Sequence, residues 1–200
     1  MKRFTLLDKL NLRTTAVYHN PRDISPLRIA YGDLSNSKIP CTPIDRDGLL
    51  WHVSDRPMME ISGVFSSDGK KMISGFTALP AVQDETGQSI ACVQFDSPQY
   101  NKTIAVSGKG TIKLDTGELI ENPADLIKDI CLNVQGYDVD SVDLAEISRL
   151  YADCLKEEVR VAHLLSDIIT IKQLFDELAL NIHAFWMMSD GKSVMRLRWL

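Results

Sequence analysis

No stretch of this sequence approaches the roughly 18 apolar residues of a membrane helix, so a helical membrane span is excluded. The opening MKRFTLLDKLNLRTT is basic at its start. Asp8, Lys9, Asn11 and Arg13 then interrupt any apolar core, so it makes a poor signal peptide and points to a chain folded in a cytoplasm. Positive charge is also short: 22 Lys and Arg stand against 27 Asp and Glu, a net charge of -5. Nucleic-acid proteins need a basic face for phosphate contacts, and none is written here, so no nucleic-acid binding is expected. The densest basic patch, Lys192, Arg196 and Arg198, lies at the spacing of a strand's solvated side. Cysteine is sparse as well. Cys41, Cys92, Cys131 and Cys154 lie far apart, and none belongs to the CxxC or CxxxC pair that zinc and iron–sulfur sites use. They read as small buried apolar residues, and no metal or cofactor is expected.

What is present is a hydrophobic content of 44% over 200 residues, enough for a core in one large domain or two small ones. The pattern predicts an α+β protein: an antiparallel β domain over 1–119, barrel- or sandwich-like, then a small α+β lobe over 120–200. In the first part LLWHVS, MEISGVFSS, KKMISGFTAL, QSIACVQFD and KTIAVSGKG are short β-branched or aromatic runs bounded by turn chemistry. Ser67-Asp68-Gly69 and Asp115-Thr116-Gly117 fit hairpin turns, the latter between TIKL and ELI, and 84–87 fits a longer connection. Strands this close leave no room for crossover helices, so the sheet is antiparallel. The stretch 20–47, with Pro21, Pro26, Pro40 and Pro43 and the run YGDLSNSKIP, reads as a Pro-rich arm or long loop.

From 120 the period becomes helical. Asn122 can cap, Pro123 fits the first helical position, and Ala124, Ile127, Ile130, Cys131 and Val134 follow at helical spacing until Gly136. A second helix is expected from a cap at Asp140 or Ser141, with Leu144, Ile147, Tyr151 and Leu155 on its apolar face. EVRVAHLLSD reads as a strand. A third helix opens at Thr170 with Gln173 completing a capping box, and buries Ile171, Leu174, Phe175, Leu178 and Ile182. The chain then forms a hairpin around Ser189-Asp190-Gly191. Phe185 to Met188 are apolar on both strand faces, and VMRLRWL keeps an apolar face to its end, so a neighbour or further chain is expected to cover them.

Candidate chemistry is thin. His52 beside Trp51, with Cys41 upstream, offers at most a Cys–His pair with no orienting third group in the sequence. His19, His163 and His183 read as packing or hydrogen-bonding residues. Asp153, Lys156, Glu157 and Glu158 read as a solvated helix end. Gly108-Lys109-Gly110 lacks the rest of a phosphate loop. Catalytic, cofactor-binding and metal residues are therefore predicted to be none, and an enzyme is not expected.

The second half resembles the tail hub, or tail-tip and baseplate-hub, proteins of long-tailed phages. The shared features are NPADLIKDIC with Gly136 soon after, and a helix running from Ala145-Glu146 to Tyr151-Ala152-Asp153-Cys154. A strand, the helix TIKQLFDELALNIHA and a strand–SDGK–strand hairpin follow. The resemblance covers 120–197, and VSDRP, GVFSSDG and ACVQFDSP resemble the β portion near the start of such hubs more loosely. It implies a structural virion protein that caps or continues the tail tube and connects to tip or fibres, made in the host cytoplasm and resident in the virion tail. Its implied partners are itself in a ring, commonly a trimer, with tail-tube or distal tail proteins and tip or fibre proteins. Family members are longer, which implies an N-terminal portion or a short member. Two competing readings come from other classes. A carbohydrate- or host-surface-binding module needs an aromatic platform, for which Trp51, Trp186, Trp199 and Tyr100 lie scattered. A hydrolase would use Cys41 or Cys92 with a histidine.

Overall fold

The computed structural model describes residues 28–44, 47–83, 87–134, 138–165, 171–182, 184–189 and 192–197. They are mostly antiparallel β sheet, one sheet curled into a half-barrel, with a few helices: an α+β protein. The chain divides into two compact units, 1–119 with 163–167, and 120–162 with 168–200.

In the first unit, one four-stranded sheet runs β2 (Asp33–Pro40), β9 (Ala105–Thr111), β5 (Met58–Phe65), β6 (Lys71–Met72). A second runs β3 (Thr42–Pro43), β4 (Leu50–Ser54), β8 (Ser89–Phe95), β7 (Phe76–Gln83). Leu34, Ile39, Val64 and Val106 of the first sheet share one core cluster with Trp51, Val53, Val93 and Phe95 of the second. Alternation sends Leu50, Ile90 and Cys92 to the other face of the second sheet, where Ile44, Leu79 and Val82 pack on them.

Strand β9 is central to its sheet, and its two glycines explain the GKG run. A methyl group on Gly108 would overlap the Glu60 carbonyl oxygen, and one on Gly110 would overlap that of Ala30. The backbones of neighbouring strands press where side chains would stand, so the run is a packing device and not a phosphate loop.

Four expectations for this part change. The run YGDLSNSKIP is not an arm: its Asp33–Pro40 is strand β2, paired with β9, with a register break between Leu34 and Ile39 that leaves Ser35 to Lys38 exposed. Pro21 and Pro26 lie outside the described residues. The single strand read in KKMISGFTAL is two, β6 and β7, broken at Ser74-Gly75. The TIKL–ELI hairpin shrinks to one bridge, Ile112 to Leu119. Finally, EVRVAHLLSD supplies only β10 (His163–Leu165), which pairs antiparallel with β1 (Ile29–Tyr31) and so belongs to the first unit. Residues 163–167 thus depart from a division at 119/120.

In the second unit, α1 (Pro123–Asp129) starts as its sequence dictates: Ala124 N–H donates to Asn122 Oδ1 at 2.9 Å, and proline sits in the first turn. A π-helical turn, Ile130–Val134, follows, and the expected stop at Gly136 lies outside the described residues. Helix α2 (Leu144–Lys156) is capped by Asp143, whose Oδ1 accepts the Glu146 N–H at 3.1 Å, and not by Asp140 or Ser141, which sit in a 3-10 turn. Its buried face is Ile147, Leu150 and Cys154, while Leu144 and Leu155 are exposed. In α3 (Ile171–Asn181) Leu174, Phe175, Leu178 and the following Ile182 are buried, each worth about 1.5–3 kcal/mol in transfer. The proposed cap Thr170 lies outside the described residues. Strands β11 (Ala184–Ser189) and β12 (Lys192–Leu197) pair antiparallel with Ser189 opposite Lys192. No helix among the described residues is long and apolar enough to cross a membrane.

Candidate functional site

A cavity of about 390 Å³ opens in the first unit, lined by Cys41, Trp51 and the connection from β8 to β9 around Tyr100. Its walls are fixed by short-range chemistry. Gly48 holds φ +62, a left-handed conformation, and a Cβ there would press on the Gln99 backbone. The Gly48 carbonyl accepts the Gln99 N–H at 3.1 Å and the Trp51 indole N–H at 3.0 Å, so one peptide group ties the loop to the sheet. Trp51 is buried and meets Phe95 edge-on, with ring centroids 6.5 Å apart.

The loop is tightened from within. Gln99 is 6% exposed, donates through Nε2 to the Ser97 carbonyl at 2.9 Å, and accepts through Oε1 from Lys102 Nζ at 2.8 Å. Asn101 turns the chain at φ +53, which asparagine tolerates better than most residues. Tyr100 stays 58% exposed at the tip, and no Asp or Glu is among the described residues that line the cavity. Arg28 stands nearby, donating to the Pro40 carbonyl at 2.7 Å and to Thr42 Oγ1 at 3.1 Å.

The Cys–His possibility resolves into two separate places. Cys41 packs on the inter-sheet core at the cavity wall. Burial pushes its thiol up to about 12, more than the nearby Arg28 charge pulls it down, so at neutral pH it is a protonated, weakly nucleophilic group. His52 is the cross-strand partner of Cys92 in the β4–β8 pair, and its Nε2 lies 3.2 Å from Asp55 Oδ1. The sequence showed no third group for a histidine; Asp55, three residues on, stands within ion-pair distance. Asp55 also accepts the Arg28 N–H at 2.7 Å. Yet Cys92 is 0% exposed, with no open face for a substrate. Cys131 and Cys154 are raised by burial to about 11, and none of the four cysteines is in a disulfide.

Neither a protein-family model, nor a curated protein, nor a solved structure matches the chain.

The other singled-out residues scatter. His163 is part-buried in β10 opposite Tyr31. Lys156 and Glu157 form a 3.6 Å surface pair at the end of α2, and Glu158 closes that helix at φ +54. His19, His183 and Trp199 lie outside the described residues, as do the side chains of Phe185 to Met188 and of Lys192 and Arg196. Among the described residues no group of three His, Cys, Asp or Glu gathers around a common point. Sequence reading passed over Gln99, Asn101 and Lys102. The signal was SPQYNK, a turn-forming run with an aromatic between two strands.

Proposed function

We propose that this protein is a structural component of a phage tail, a hub or tip protein that caps or continues the tail tube and joins it to tip or fibres. It acts by shape and self-association, in a ring whose natural symmetry is a trimer, with tail-tube or distal tail proteins and tip or fibre proteins as partners. Its place is the virion tail, after synthesis in the host cytoplasm, and no catalytic role falls to Cys41, Cys92 or His52. The finer fold reading goes with it: a barrel- or sandwich-like β part, then a small lobe with three helices on an antiparallel sheet.

The observation that supports this reading is the order of elements from 123 to 197. The Asn122-capped helix carries NPADLIKDIC, α2 carries Ala145-Glu146 and Tyr151 to Cys154, and α3 and the β11–β12 hairpin follow in the order the tail-hub resemblance requires. The experiment is electron microscopy of the purified protein mixed with a phage tail-tube protein. Rings seated on tube ends are expected. Particles that never engage a tube end would contradict the assignment.

A further inference from the structure

We propose that the cavity beside the β8–β9 connection binds a sugar ring carrying a carboxylate, with Tyr100 stacking on the ring and the Lys102 ammonium meeting the acid group. This inference stands apart from the tail reading and does not depend on it.

Three observations lead to it. The cavity, about 390 Å³, lies at the small end of ligand sites, which suits one or two rings and no large cofactor. Its mouth pairs an exposed aromatic, Tyr100, with the hydrogen-bonding side chains of Asn101 and Thr103. A sugar ring has an apolar C–H face and a rim of hydroxyls, and this pairing offers a surface to each. Positive charge stands at the site: Lys102 lines the cavity, Arg28 stands nearby, and no Asp or Glu is among the described lining residues. Lys102 gives one of its three N–H donors to Gln99 Oε1 at 2.8 Å, which aims the ammonium and leaves two donors for a ligand.

The site is also built before any ligand arrives. Gln99 is buried with both ends of its amide engaged, and its N–H is held by Gly48. A loop already ordered loses less entropy on binding than a mobile one, so few contacts suffice for measurable affinity.

The test is a titration of the ¹⁵N-labelled full chain with glucuronate, glucose and acetate, read by amide chemical shifts. Glucuronate should move the Tyr100, Asn101 and Lys102 amides with a Kd at or below about 10 mM. It should bind about tenfold tighter than glucose, because one charge-assisted hydrogen bond separates them. Tyr100→Ala should abolish binding of both sugars, and Lys102→Gln should bring glucuronate down to glucose. Both side chains are exposed, and unchanged melting of each variant checks that the fold is intact. Acetate binding as well as glucuronate would reduce the cavity to an anion site and overturn the sugar. Silence of these amides toward glucuronate, or full binding by Tyr100→Ala, would overturn the proposal outright.

Discussion

A methyl group at Gly108 or Gly110 meets backbone oxygen, not a side chain that can swing away, so the strand itself must move. Overpacking of this kind costs about 1–3 kcal/mol or more. Gly108→Ala and Gly110→Ala should each lower the melting temperature by several degrees, while Lys109→Ala between them should leave it within about a degree. Equal melting of all three would show that β9 is not pressed between its neighbours. The thiols set a second expectation at this scale. Burial raises Cys41 to about 12 and Cys131 and Cys154 to about 11, against an ordinary value of 9.0. A thiol that stays protonated only in the fold contributes stability that is full below pH 9 and declines as pH rises toward 11–12, because the unfolded chain then loses protons first. Urea midpoints measured from pH 7 to 11 should fall above pH 9, and less steeply in Cys154→Ala. A midpoint independent of pH across that window would refute the burial account. The sequence showed that these cysteines lacked metal-ligand spacing, but burial depth depends on the strands and helices that cover them.

Elements were legible where the signal is local. Asn122-Pro123 states a helix start in two residues, and the structure places the cap bond there. In α2 three acidic or hydroxyl residues, Asp140, Ser141 and Asp143, compete for one cap, and only the turn at Val139–Ser141 decides for the last. Its apolar face was misread for a related reason. Leu144, Leu150 and Leu155 form overlapping stripes, and periodicity alone does not say which one meets a neighbour. Asp143→Ala should therefore cost about 1 kcal/mol and Asp140→Ala almost nothing, by chemical denaturation. The reverse order would return the cap to the earlier turn. In α3 the stripe was unambiguous. Leu174→Ala and Phe175→Ala should cost about 2–5 kcal/mol each, against a near-neutral Glu177→Ala. The cavity at Tyr100 was not legible in this way, because Gly48, Trp51 and Gln99 come together only through the β4–β8 pairing and the turn that follows it.

Across the whole molecule, the main departure from a simple two-part chain is β10, which pairs with β1 more than 130 residues earlier. Such pairing leaves no local signature: His163-Leu164-Leu165 is too short to specify its partner. The buried Ile29, Ala30 and Tyr31 depend on it for their backbone partners. The proposed tail role rests on this chain assembling with itself. Sedimentation equilibrium across a concentration series, with and without the tail-tube protein, tests that claim most directly. Mass rising with concentration toward a closed trimer, and sharpening when tube protein is present, is the predicted result. A fixed monomer mass at every concentration, unchanged by tube protein, would contradict it.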